Sequence, residues 1–323
     1  MRIRTGREES FTVSDLLDKR LLFVAGKGGV GRTTVAAALG LLAARQGKRT
    51  IVVEVAKQER VSRSFRHAGA GYSETELAPN LYGISIDPDK SLEEFLIDQV
   101  GSKRLAGLLF NNRIFEYFAA ATPGMRELVT IAKVWELALL ERRKRGDAPY
   151  DLVILDGPPT GQGLGMLKTP QTFADVARVG PIRRKALMID GFLRDAKQTG
   201  VVAVALPEEM PVNETLEFGT KLRDQMGYDV GLVVMNAVLP ERFSGEDATA
   251  IEAVNGDAGD PTVAAALQTA LSQHHRTRAQ RSQLRRLRRD TDGAPVITLP
   301  FLFDTDLGLD HWESLSSELE RRL

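Results

Sequence analysis

Gly26-Lys27-Gly28-Gly29-Val30-Gly31-Arg32-Thr33-Thr34 is the stretch from which the rest of the chain is read. It follows the apolar run at 21–25 (LLFVA) and precedes an Ala- and Leu-rich stretch at 35–44 with helical composition. Strand, glycine-rich turn and helix form the context that a phosphate-binding loop requires. Glycines lack Cβ, so the backbone can curl tightly and aim successive N–H groups at phosphate oxygens. The helix that follows adds its positive N-terminal end. Gly26, Gly28, Gly29, Val30, Gly31, Arg32, Thr33 and Thr34 are therefore the expected nucleotide-holding set, with Thr33 placed to supply a hydroxyl to Mg²⁺. The bland alternative is a strand–helix turn that holds nothing.

The chain has 323 residues, enough for one large α/β domain. Hydrophobic content of 43% and charged content of 27% are ordinary for a globular protein. The formal net charge is zero, which gives no global pull towards nucleic acid or an anionic membrane. No apolar run reaches the ~20 residues of a membrane helix, so an integral membrane protein is not expected. Residues 1–10 are charged and lack the apolar centre of a signal peptide, which points to the cytoplasm. The chain contains no cysteine, so disulfides, thiolate metal sites and thiolate chemistry are excluded.

Short apolar runs recur at 21–25, 50–55, 81–86, 151–156, 201–206, 230–236 and 295–299. Most are nearly continuous in Val, Ile and Leu, as in strands covered on both faces, and helical stretches separate them. The expectation is an α/β fold with a doubly wound, mostly parallel sheet, forming one domain over residues 1–323. Residues 1–19 read as a polar lead-in, and 241–260 as a solvent-exposed insertion. A long apolar and aromatic region at 91–145 reads as an inserted helical subdomain, broken at Thr122-Pro123-Gly124. Its residues are either ordinary core or an apolar groove for a client helix, and periodicity does not separate the two. The run at 151–156 ends in Asp156, followed by Gly157-Pro158-Pro159-Thr160-Gly161-Gln162-Gly163. An apolar strand ending in Asp downstream of such a loop holds the magnesium shell; a strand-end helix cap is the lesser alternative. The Pro and Gly run behind it suits a loop that changes shape with nucleotide state.

With Lys27 directly after the first glycine, the loop resembles the deviant Walker A loop, GKGGVGKT, of the dimeric MinD, ParA and arsenite-pump ATPases. The segment at 156–170 (DGPPTGQGLGMLKTP) resembles the switch II segment of the arsenite-pump ATPase family, which includes ArsA and the Get-pathway ATPase that targets tail-anchored membrane proteins. Residues 199–214, 233–236 and 296–303 resemble that family's next strand and helix, its adenine-contacting strand end and its base-covering loop. The resemblance implies a P-loop NTPase of the deviant Walker A class that uses ATP or ADP with Mg²⁺. It implies metal-holding roles for Thr33 and Asp156, catalytic roles for Lys27, Arg32 and Asp156, and base contacts for Asn236, Pro300 and Phe301. It further implies a homodimer, or a heterodimer with a paralogous ATPase, in which Lys27 reaches the partner's nucleotide; Lys27 shows no evident duty within its own chain.

The departures cluster where the γ-phosphate is handled. Arg32 replaces the ordinary P-loop lysine, and a planar fork is not a point charge. Aligning 61–65 on the family's switch I ending puts Ala56 at the water-orienting Asp, where Glu54 or Glu59 are the only nearby substitutes. Gln162 and Gly165 replace the family's switch II His and Arg. Without cysteine, metalloid binding through thiolates and a Cys-x-x-Cys zinc dimer site are excluded, which leaves the cysteine-free bacterial branch. The first reading is a dimeric switch ATPase whose nucleotide opens the helical region to a hydrophobic client or partner. The second is a hydrolytically silent subunit of an active paralogue. A ParA/MinD-type positioning ATPase ranks third, because it would need a basic DNA face or a cationic amphipathic tail, and the Pro159-Thr160-Gly161 switch segment and the acidic face of the tail count against it. The arginine-rich stretch at 274–289 lacks interleaved aromatics, and its Leu284 and Leu287 have helix-packing spacing. No nucleic-acid partner is expected. The C-terminal stripe of Trp312, Leu315, Leu319 and Leu323 is backed by Glu313, Glu318 and Glu320, a poor membrane anchor.

Overall fold

The computed structural model describes residues 13–55, 58–65, 69–100, 123–140, 148–177, 179–255, 259–304 and 307–322. In chain order the elements are α1 (Val13–Leu17), β1 (Leu21–Gly26), α2 (Arg32–Arg45), β2 (Thr50–Val55), α3 (Arg60–Ser64), β3 (Thr75–Ala78), β4 (Leu81–Ile86) and α4 (Pro88–Val100). They continue with α5 (Met125–Ala138), β5 (Leu152–Asp156), α6 (Thr160–Val176), α7 (Pro181–Arg194), β6 (Thr199–Ala205) and α8 (Glu209–Met226). The last are β7 (Leu232–Val238), α9 (Gly245–Asn255), α10 (Pro261–Asp290), β8 (Val296–Pro300) and α11 (Leu309–Arg322).

The eight strands form one sheet in the order β3-β4-β2-β5-β1-β6-β7-β8, parallel throughout except for β3. This is the doubly wound arrangement expected from the apolar runs. Along β1, Leu21, Phe23 and Ala25 enter one core while Leu22 and Val24 enter the other. β5 divides in the same way, with Val153 and Leu155 on one face and Leu152 and Ile154 on the opposite one. Alternation over two apolar faces explains why these strands read as unbroken hydrophobic runs. Burying each such side chain contributes ~1.5–3 kcal/mol relative to exposure.

Helix α2 is buried almost all round, from Val35 to Ala44, because the sheet covers one side and Trp312, Leu315 and Leu319 of α11 join the same core. Gly40 permits that proximity: a Cβ there would lie 2.6 Å from Val52 Cγ2. Thus the C-terminal apolar stripe is internal packing. Leu323 lies outside the described residues. Glu318, expected on an outer face, is ion-paired with Arg321 and Arg322 of its own helix.

Several local expectations change. Residues 13–17 of the lead-in form α1, which buries Leu16 and Leu17. The edge strand β3 has no counterpart among the expected runs, since only Leu77 of its four residues is buried. The insertion at 241–260 contains helix α9. Most of the Pro/Gly run after Asp156 is helical, because α6 begins at Thr160 and leaves only residues 157–159 as connection. Of the helical region at 91–145, residues 101–122 and 141–147 lie outside the described residues, and with them Leu105, Leu108, Leu109, Phe110, Ile114, Phe115, Tyr117 and Phe118. Within its described part, which also takes in residues 91–100 of α4, helix α5 sends Ile131, Val134 and Leu137 into the main core. The arginine-rich stretch belongs to α10, where Leu287 is fully buried and most of the arginines are exposed.

Candidate nucleotide site

β1 runs between β5 and β6, so the turn that follows Gly26 emerges at the carboxyl edge of the sheet's centre, where ligands of open α/β sheets gather. Gly31 is the N-cap of α2 with φ of 90°, a left-handed conformation that disfavours any side chain. A Cβ on Gly31 would also lie 2.2 Å from Asn236 Nδ2. Asn236, two residues before the end of β7, donates that nitrogen to Val30 O over 3.0 Å and so braces the loop.

Thr33, in the first turn of α2, donates its hydroxyl to Asp156 Oδ2 at 2.6 Å. The other carboxylate oxygen, Oδ1, is buried with no hydrogen-bond partner among the described residues. A buried orphan acceptor beside a hydroxyl fits a hydrated Mg²⁺, which keeps several waters and takes few protein ligands. No group of three or more acidic or histidine side chains that could hold a metal occurs among the described residues. Any magnesium here would therefore take most of its ligands from outside the protein. Burial pushes the Asp156 carboxyl up, opposed by the Thr33 hydrogen bond and by the guanidinium groups of Arg32 and Arg60.

Arg32 donates from Nη1 to Gly157 O at 2.8 Å, which ties the first turn of α2 to the connection behind Asp156. Burial lowers its pKa; Asp156 works against that, and Arg60 adds repulsion. Lys27 corrects the expectation of a side chain without duty in its own chain. Its ammonium is 2.7 Å from Glu214 Oε1 on α8, and each side chain is about one-third exposed. α8 follows β6, the neighbour of β1, so its first turns lie at the same sheet edge.

Position 56 lies outside the described residues. Of its two substitutes, Glu59 accepts from Gly71 N at 3.2 Å and from Arg63 at 3.3 Å. Glu54 is buried and spends its oxygens on the N–H groups of Arg60 (2.8 Å) and Val61 (3.1 Å). Burial pushes its pKa from 4.5 up to about 7; the backbone hydrogen bonds oppose this and Asp156 adds to it. Because the folded pKa is raised, the stability contributed by Glu54 is fully present below about pH 4.5 and lost as pH rises through about 7. The span corresponds to ~3 kcal/mol, at ~1.4 kcal/mol per pKa unit. Urea unfolding of the chain should show this loss between about pH 4.5 and pH 8, and Glu54→Gln should flatten it. An unchanged pH slope in that variant would contradict the assignment.

On the far side of the loop, Phe301 N donates to Val238 O at 2.9 Å, which sets the segment after Pro300 beside the end of β7. The Phe301 and Phe303 rings meet edge to face at 5.0 Å, with Arg242 over Phe303 at 4.9 Å. Both rings are largely exposed.

Residues 19–187 match the family model described as anion-transporting ATPase. The ATPase BagA of Mycobacterium tuberculosis is 30% identical over 264 residues, covering 80% of this chain and 76% of that protein. The chain belongs to the anion-transporting ATPase family. Other relatives are an arsenical pump-driving ATPase of Halobacterium salinarum (27% identity, 70% of this chain and 36% of that one) and the ATPase get3 of Pyrenophora tritici-repentis (27%, 67% and 62%). Membership agrees with the strand–loop–helix turn and with Asp156 at the end of β5. Glu214 and Arg60 were not anticipated from sequence. The signal for Glu214 was an acid in the second turn of the helix following a neighbour of β1. No helix among the described residues is long and apolar enough to cross a membrane.

Proposed function

We propose that this chain is a nucleotide-operated switch that binds Mg-ATP and Mg-ADP at the turn spanning Gly26 to Thr34. The observation that carries the reading is the Thr33–Asp156 contact at 2.6 Å beside the orphaned Asp156 oxygen. Bound magnesium would neutralise phosphate charge; Thr33 and Asp156 would hold it and its water shell. Backbone N–H groups of residues 28–31 would cradle the phosphates. The free oxygen side of Asn236 and the Phe301 ring, beside Pro300, would receive the base.

Assembly as a homodimer or with a paralogous ATPase is part of the same proposal. Lys27 would exchange its bond to Glu214 for the partner's phosphates, and the helical region at 91–145 would answer by exposing apolar surface to a client helix. The cysteine-free composition argues against a metalloid cargo. A second reading, a subunit that binds but barely hydrolyses nucleotide, is favoured by Arg32, whose guanidinium is committed to Gly157 O.

Titration calorimetry of the full chain with ADP, with and without Mg²⁺, tests the core of the proposal. Binding that strengthens with Mg²⁺ is expected, and Thr33→Ala should remove most of that gain, ~10-fold or more in affinity for a lost metal-holding hydroxyl. Absence of nucleotide binding by the wild type would overturn it.

A further inference from the structure

Arg60 is the first residue of α3, and its position is fixed from the interior of the sheet. β2 and β5 are parallel neighbours, with Val53 opposite Leu155 as their last paired positions. The next residue on each strand is Glu54 and Asp156, so the two carboxylates stand side by side at the carboxyl edge. Glu54, only 3% exposed, accepts the backbone N–H of Arg60. The start of α3 is thereby hung from the neighbour of Asp156, and the Arg60 residue there is exposed.

The charges at this place do not balance. Lys27 is neutralised by Glu214. Arg63, one turn along α3, is taken by Glu59. Arg60 makes no ion pair or side-chain hydrogen bond among the described residues. Its charge is felt by both Arg32 and Asp156. Two guanidinium groups thus share the one carboxyl of Asp156, because Glu54 beside it is spent on the N–H groups of Arg60 and Val61. Like charges held together cost free energy unless an anion joins them. A terminal phosphate, with its equatorial oxygens, is an anion matched to a guanidinium fork.

We propose that Arg60 is a phosphate-contacting residue that reads the terminal phosphate of a bound nucleoside triphosphate, supplied in cis by α3 and anchored there by Glu54. This rests on the nucleotide reading of the site. It assigns to α3 the part of a cation aimed at charge on the transferring phosphoryl group, which a lysine or a trans-acting arginine supplies elsewhere. It also distinguishes the two nucleotides: a triphosphate reaches Arg60, and a diphosphate does not.

Calorimetry with the β,γ-imido analogue of ATP and with ADP, both with Mg²⁺, tests the assignment on the full chain. Arg60→Ala should weaken analogue binding by ~10-fold or more, as loss of a charge-assisted contact does, and leave ADP binding within about twofold. Arg60→Lys should recover part of the loss. Arg63→Ala, on the same helix but already paired, should change neither ligand. Equal affinity of Arg60→Ala and wild type for the analogue would overturn the assignment, as would equal weakening of both ligands. A wild type that binds neither ligand would overturn it together with the nucleotide reading, whereas intact ADP binding beside an unaffected analogue refutes Arg60 alone.

Discussion

The double variant Arg32→Lys, Ala56→Asp is expected to turn over ATP ~10²–10⁴-fold faster than the wild type, the range a positioned proton acceptor contributes. The wild type should run below about 1 s⁻¹, the low end of typical enzymes. Two departures underlie this expectation. Alanine at 56 can neither orient a water nor accept its proton, and the two carboxylates nearest in sequence are engaged: Glu54 holds α3 and Glu59 holds Gly71 and Arg63. Arg32 stands where a compact ammonium would meet β- and γ-oxygens, yet its fork is bonded to Gly157 O. Lysine at 32 frees that carbonyl and the connection behind Asp156, and aspartate at 56 returns a water-orienting group. Each single variant should recover only part of the rate, since positioning and charge stabilisation act together. Steady-state phosphate release is the measurement. Wild-type turnover on the order of 1 s⁻¹ would remove the silent-subunit reading. A double variant that binds ATP but is no faster would show that the missing groups lie elsewhere.

The framework was legible because the buried strands carry their own label. β2 and β4 coincide with apolar runs read from sequence, and β1, β5, β6, β7 and β8 overlap theirs. Each is covered on both faces and therefore rich in Val, Ile and Leu. The label fails where burial is partial. β3 pairs antiparallel at the sheet edge and buries little, so its four residues look like a loop. α1 is five residues long, too short for any periodicity to show. The run after Asp156 was misread for a different reason. Gly161, Gly163 and Pro170 are poor helix formers, but in α6 packing overrides propensity, with Gly163, Leu164, Leu167 and Pro170 all buried.

Within the site, what depends on the local chain was readable and what depends on distant pairing was not. The glycine spacing, Thr33 and Asp156 follow from short motifs. The partners of Lys27 and Arg32 do not: Glu214 lies 187 residues beyond Lys27, and a backbone carbonyl such as that of Gly157 leaves no mark in a sequence. Asn236 was read as a contact for the base, yet its nitrogen is held by Val30 O, a bond that needs β7 to lie two strands from β1.

That bond also makes Gly31 a sensitive position of the loop. Gly31→Val is expected to abolish nucleotide binding, with affinity falling ~100-fold or more while the chain stays folded. The backbone at Gly31 has φ of 90°, which costs any L-residue other than Asn or Asp ~1–2 kcal/mol and a β-branched one more. The new Cβ would meet Asn236 Nδ2 at 2.2 Å, far inside contact distance, so Asn236 must swing away and release Val30 O. Strain and the lost brace both act on the curl that aims N–H groups of the loop at one point. Together they exceed the ~2.7 kcal/mol that separates a hundredfold change in affinity. Most of the core is untouched, because α2 starts one residue later and β1 ends before the turn. Calorimetry with Mg-ADP, alongside thermal unfolding, separates the two effects. A folded variant that binds Mg-ADP as tightly as the wild type would mean that the nucleotide is held elsewhere, and the assignment of this turn as the phosphate loop would fall.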